Sequence, residues 1–167
     1  MFQADMDKVI EEYMTSTDEG LVSFAQNIID GNLQNPSVQN YSIGKVADQA
    51  VTDIKQIIGV DVTDFSHNIK GNHVEHIDYR HGENGKADKS MADLTDYGRL
   101  KYVLDNYDSI ELSPKKNTEF KGTDGKPSPM VVYKKRINGQ FHIVEAVPDA
   151  NAKEMQIVSV YKSKAEK

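Results

Sequence analysis

Apolar residues sit three and four positions apart through the first two thirds of the chain, then alternate from Ser109 onward. The first pattern buries one side of a helix; the second buries one face of a strand. "MDKVIEEYM" (6–14) and "STDEGLVSFAQNIIDGN" (16–32) both show the helical spacing. The second opens on Ser16 and Thr17 as caps, carries acids in its first turn and closes on Gly31. "NLQNPSVQN" (32–40) is an Asn-rich loop with one Pro and the best boundary in the chain. "GKVADQAVTDIKQIIG" (44–59) predicts an amphipathic helix with Val46, Ala50, Ile54 and Ile57 on its apolar stripe.

"VDVTDFSHNIKGN" (60–72) predicts a short extended piece and a turn, and "NHVEHIDYRHG" (72–82) a short helix ending at Gly82. A polar loop follows. "MADLTDYGRLKYVLDNYDSI" (91–110) then predicts a helix burying Leu94, Leu100, Val103 and Leu104, weakened a little by Gly98. Beyond it, "SIELS", "TEFKG", "MVVYKKR", "FHIVEAV" and "MQIVSVYK" alternate as strands do, separated by "TDGKPSP", the hairpin signal Asn138-Gly139 and "PDANAKE". The expected class is α+β: N-terminal helices followed by a four- to five-stranded antiparallel β-meander packed against helices. Residues 1–50 are expected as a helical N-terminal segment, a linker or cap from a larger protein, and residues 51–167 as the main α+β domain.

Composition changes this picture little, but charge does. Hydrophobic residues are 38% and charged residues 28% of the chain, ordinary values for a globular protein. With no Cys, disulfides, thiolate metal sites and Cys nucleophiles are excluded. No apolar run approaches the roughly 18 residues that span a bilayer, and the acidic start does not resemble a signal peptide. The net charge of −6 is unevenly spread: residues 1–112 hold 9 Lys/Arg against 20 Asp/Glu, and the remainder hold 11 against 6. A basic back half could meet a polyanion on one face; accidental surface composition explains the split equally well.

"HVEHIDYRHGENG" (73–85) packs three of the five histidines and one of the three arginines into nine positions. On a helix, His73, His76 and Arg80 share a row, His81 lies in the next, and Val74 and Ile77 anchor the other side. Three readings are open. His73, His76 and His81, with Glu75 or Asp78, could hold a metal, although the HxxH-x4-H spacing matches no marked zinc signature. Imidazoles and a guanidinium could instead move protons and hold a phosphate, as metal-free RNA cleavage requires. Or the cluster is a solvated helix face.

"HIDYRHGENGKADKSMADLTDYGRLKYVLDNYDSI", followed by "GKPSPMVVYKKRINGQFHIVEAVPDANAKEMQIVSVYK", resembles the phage barnase–EndoU–colicin–RelE-like nuclease domains. These occur in phage and mobile-element polyvalent proteins and at the C-termini of phage MuF-type head proteins. The likeness spans roughly residues 60–163, and its most specific pieces are "RHGENG", "SMADL" and "VEAVPD…IVSVY". It implies a ribonuclease working without metal or other cofactor, used as a toxin or effector against RNA, tRNA foremost. It places catalytic function on His76, Arg80 and His81 of the helix and on Glu145, Ser159 and Tyr161 of the sheet.

By alternation, Ser159 and Tyr161 share a face, while Glu145 shares one with Phe141 and Ile143. Glu145 is then either a buried structural acid or a base with a raised pKa. Ser159 could donate to a phosphate oxygen or fill a sheet position; Tyr161 could stack on a base or pack. His142 reads as packing. Lys134, Lys135 and Arg136 could track a phosphate backbone, or be a charged hairpin edge. The expected partners are RNA and an acidic immunity protein, with no membrane. The expected place of action is the cytoplasm of a host or target cell, reached in a phage particle or as part of a larger secreted protein. The competing expectation is a non-enzymatic binding module of a phage or mobile element, with the histidines as a partner or metal site.

Overall fold

The computed structural model of the chain describes Lys8 and residues 17–121, 126–137, 139–147 and 153–163. Ser16, Asn138, and most of the helix expected at 6–14 and of the 148–154 connection lie outside the described residues. Helix α1 (Glu19–Ile29) is capped by Asp18, whose Oδ1 accepts from the Leu21 amide at 3.1 Å; Thr17 does not supply the cap. Asp18 also accepts from the Tyr41 hydroxyl at 2.8 Å, tying the helix start to the sheet. Gly31 follows the helix in the left-handed region, φ +75°, as its position at the stop suggests.

Strand β1 (Asn40–Lys45) is not visible in the apolar pattern, because it contributes only Tyr41 and Ile43 as apolar residues. Helix α2 (Asp48–Ile58) therefore begins later than the sequence spacing suggests. Strand β2 (Ser66–Lys70) pairs antiparallel with β1 and runs directly into helix α3 (Gly71–His81), which ends at Gly82 as expected. The single helix expected over 91–110 is two pieces: a 3-10 turn (Leu94–Arg99), then helix α4 (Leu100–Asp105). Asp93 starts the 3-10 turn by accepting from the Thr95 amide. Gly98 lies so close to α1 that an added Cβ would stand 2.8 Å from the Asp18 carbonyl oxygen. Its own carbonyl accepts from the Asp18 amide at 2.7 Å, so the absence of a side chain lets two segments join here.

Among the described residues, the elements of the back half are all strands: β3 (Ser109–Leu112), β4 (Asn117–Lys121), β5 (Pro127–Ser128), β6 (Met130–Arg136), β7 (Gln140–Ala146) and β8 (Glu154–Ser163). The main sheet has the order β1-β2-β8-β7-β6-β3, while β4 and β5 form a separate ribbon. Strands β3, β6, β7 and β8 make the expected antiparallel meander; β2 joins it parallel to β8 through residues 154–157 only. The class is α+β as the pattern suggests, with two front-half strands added to the sheet. Where β2 stops, α3 continues alongside β8.

One face of the sheet is covered. Tyr133, Phe141, Ile143, Met155, Ile157 and Val160 pack there with Leu21 and Ala25 of α1, Ile54 of α2, Ile77 of α3 and Leu100 of α4. Each such buried Leu or Ile stabilises the fold by roughly 1.5–3 kcal/mol relative to exposure. The other face is left for a site. No helix among the described residues is long and apolar enough to cross a membrane.

Candidate active site

The uncovered face floors a groove of about 780 Å³. Alternation places Met130, Val132 and Lys134 of β6 and His142 and Val144 of β7 on that floor. Strand β8 reaches it by an irregularity: Val144 faces Ser159, but Glu145 faces Ile157, so Val158 is an extra residue. Plain alternation would put Met155, Ile157, Ser159 and Tyr161 on one face. The bulge sends Met155 and Ile157 into the core and turns Ser159 and Tyr161 to the groove. One wall is α3, through Asn72, His73 and His76; the other is Glu111 with Ser113, Pro114, Lys115 and Asn117.

Strand register makes a row across the floor. Lys134 stands opposite His142, and His142 opposite Tyr161. The His142 and Tyr161 rings stack with centroids 4.5 Å apart and planes 11° from parallel. On the far side of β8, His81 of α3 stacks on Tyr161 at 5.2 Å and 26°. Strand β7 and α3 flank β8 from opposite sides, so Tyr161 is held between two imidazoles. His142 Nε2 lies 2.9 Å from the Ser163 hydroxyl. At the other end of the row, Lys134 Nζ pairs with Glu111 at 2.6 Å.

His81 is buried to 8% exposure, and its Nδ1 lies 3.0 Å from both oxygens of Asp88. The loop after α3 delivers that carboxylate. It folds back so that the amides of Ala87 and Asp88 donate to the Arg80 carbonyl and the Met91 amide to the His81 carbonyl. A Cβ at Gly85 would stand 2.1 Å from the Asp88 carbonyl oxygen and 2.6 Å from that of Arg80, so this return needs glycine. Burial pushes the Asp88 carboxyl up, but the Ser90 amide and hydroxyl and His81 together hold it below the usual carboxylate range. The Ser90 hydroxyl also accepts from the Lys162 amide, fastening the loop to β8.

The residues expected at the site separate into three groups. His76, Ser159, Tyr161 and Lys134 line the groove, and His81 stands behind Tyr161. Arg80 and Arg136 are exposed and outside the lining; the Arg136 amide donates to Asp108. Glu145 and Lys135 point to the covered face. Glu145 is fully buried, taking hydrogen bonds from His67 Nδ1 at 2.6 Å and the Tyr133 hydroxyl at 2.7 Å. Lys135 lies 3.3 Å from Asp108 and 6.0 Å from the centre of the Tyr102 ring. A substrate in the groove meets neither of them.

The faces of Tyr161 are taken by the two histidines, so it offers the groove an edge and a hydroxyl, not a face for a base. Sequence reasoning read His142 as packing; it lines the groove, on the face that alternation with Phe141 and Ile143 assigns to it. Asp88 had no periodic signal; only the glycine of "ENG" hinted at a loop that turns back. For the metal reading, no group of three or more His, Asp or Glu side chains among the described residues could hold an ion.

Comparison with curated proteins and with solved structures finds no match. A family model does match, over residues 44–167, which takes in α2, β2, the groove, α3 and the whole meander. That span is well over half of the chain and contains every residue that lines the groove. The chain belongs to the family described as phage-Barnase-EndoU-ColicinE5/D-RelE like nuclease3.

Proposed function

We propose that the groove is the active site of a ribonuclease that cleaves RNA internally by attack of the ribose 2′-hydroxyl, without a metal ion. The observation that carries this reading is the meeting of α3 histidines with the Lys134–His142–Tyr161 row in one groove. RNA holds its own nucleophile. The protein must take the 2′-hydroxyl proton, give one to the departing 5′-oxygen and offset charge on the phosphate. His76, exposed on the wall, and His81, set against Tyr161, are the two proton carriers. Lys134 and the Ser159 hydroxyl face the phosphate from the floor, and Lys115 stands on the rim. Val132, Val144 and Val158 give an unstacked base an apolar surface. Arg80, one turn beyond His76 on the exposed side of α3, suits a neighbouring phosphate.

Within this reading the protein is a toxin or effector, with tRNA as the leading substrate and an acidic immunity partner that covers the groove. The basic balance of residues 113–167 supports both. The test is incubation of the purified protein with total RNA and with tRNA, with and without EDTA. Cleavage that persists in EDTA and leaves 2′,3′-cyclic phosphate ends is the expected result. Cleavage abolished by EDTA would overturn the metal-free mechanism. RNA bound but never cut would leave a binding module.

A further inference from the structure

We infer that Asp88 is a positioning residue, fixing His81 with its proton on Nδ1 and leaving Nε2 as the nitrogen that exchanges protons; this rests on the groove being a nuclease site. A carboxylate can only accept, and both Asp88 oxygens lie 3.0 Å from Nδ1, so Nδ1 carries the hydrogen. Nε2 has no hydrogen-bond partner among the described residues. Stacking on Tyr161 fixes the ring plane, and the carboxylate fixes rotation within it. A neutral ring held this way is a base at one defined nitrogen.

The loop is built for this contact. Besides the glycine-dependent return to Arg80, the Ser90 amide donates to Asp88 Oδ1 at 2.9 Å, holding the carboxylate towards His81. The Asp88 side chain is 42% exposed, so its exchange for Asn disturbs no core packing.

The experiment compares wild type with Asp88→Asn. One arm reads the His81 tautomer from its ring ¹⁵N shifts; the other measures kcat and KM on RNA. The expected result is a wild-type ring protonated on Nδ1, loss of that preference in Asp88→Asn, and kcat lower by roughly 10²-fold with KM unchanged. An unchanged tautomer in the variant overturns the inference, as does full kcat with an altered one. Lower kcat with an unaltered tautomer and a melting curve shifted downward would mean only a loosened loop, which also overturns it. If wild type cuts no RNA, the nuclease reading has failed, and the tautomer arm alone decides whether Asp88 sets the ring.

Discussion

Glu145 Oε2 lies 2.6 Å from His67 Nδ1 in the core, on the side of the sheet away from the groove. With Tyr133 donating to its other oxygen, Glu145 joins β2, β6 and β7 by buried hydrogen bonds. Removing one member of such a set strands the rest without water. Glu145→Ala is therefore expected to cost roughly 3–5 kcal/mol of stability, read from the urea midpoint. Glu145→Gln, which keeps the volume, should cost less and leave the kcat of the folded protein unchanged. A Gln variant that folds fully and cuts nothing would return Glu145 to the chemistry.

Neighbours in sequence, Lys134 and Lys135 stand on opposite faces of β6, and that separates their effects. Lys134 lines the groove beside Glu111; Lys135 lies against Asp108 beneath the sheet. Lys134→Ala should weaken RNA binding and lower the salt slope of log K by about 0.7, the value for one phosphate contact on a single strand. Lys135→Ala should change neither. Filter binding over a series of salt concentrations checks both.

How far the sequence carried the reading depends on whether the cause was periodic. Helices α1 and α2 and the long strands β6, β7 and β8 announced themselves because their apolar residues repeat at one period over many positions. Alternation also put Glu145 on the same face as Phe141 and Ile143, where it lies. β1 was illegible because two apolar residues make no pattern; pairing with β2 makes it a strand. The helix expected over 91–110 gave way to a 3-10 turn through contacts of Gly98 with α1 that no local signal encodes. The α3 wall of the groove was legible from the histidine spacing, but the far half of the groove was not. The bulge at Val158 and the return of Asp88 to His81 are tertiary facts, and a one-residue bulge leaves no trace in composition.

Alkaline pH should unfold the protein through its tyrosines. Burial, then the hydrogen bond to Asp18 and its charge, pushes the Tyr41 hydroxyl up to about 12. Burial first, with nearby carboxylates, pushes Tyr97, Tyr107 and Tyr133 higher still. Unfolded tyrosines ionise near 10. Above that pH the unfolded chain holds fewer protons than the folded one, so stability falls as pH rises. The stabilising contribution is complete below about pH 10 and, for Tyr41, is lost as pH passes through about 12. Urea midpoints measured across this range should drop, and Tyr41→Phe should make the decline shallower.

Tyr161 offers the sharpest division between a chemical and a positioning role. Its ring touches His81 on one side and His142 on the other, and each stacked pair is worth about 0.5–1.5 kcal/mol beyond burial. If the ring serves to hold the imidazoles, Tyr161→Phe keeps both contacts and should keep kcat. Tyr161→Ala frees both histidines to adopt other rotamers, and a displacement of about 1 Å in a proton carrier can lower the rate by roughly 10²-fold. KM should move little in Tyr161→Phe, which keeps the ring that forms part of the groove floor. Single-turnover rates at saturating RNA separate the cases. A Phe variant as slow as the Ala variant would show that the hydroxyl itself acts on the phosphate and that the stack is incidental.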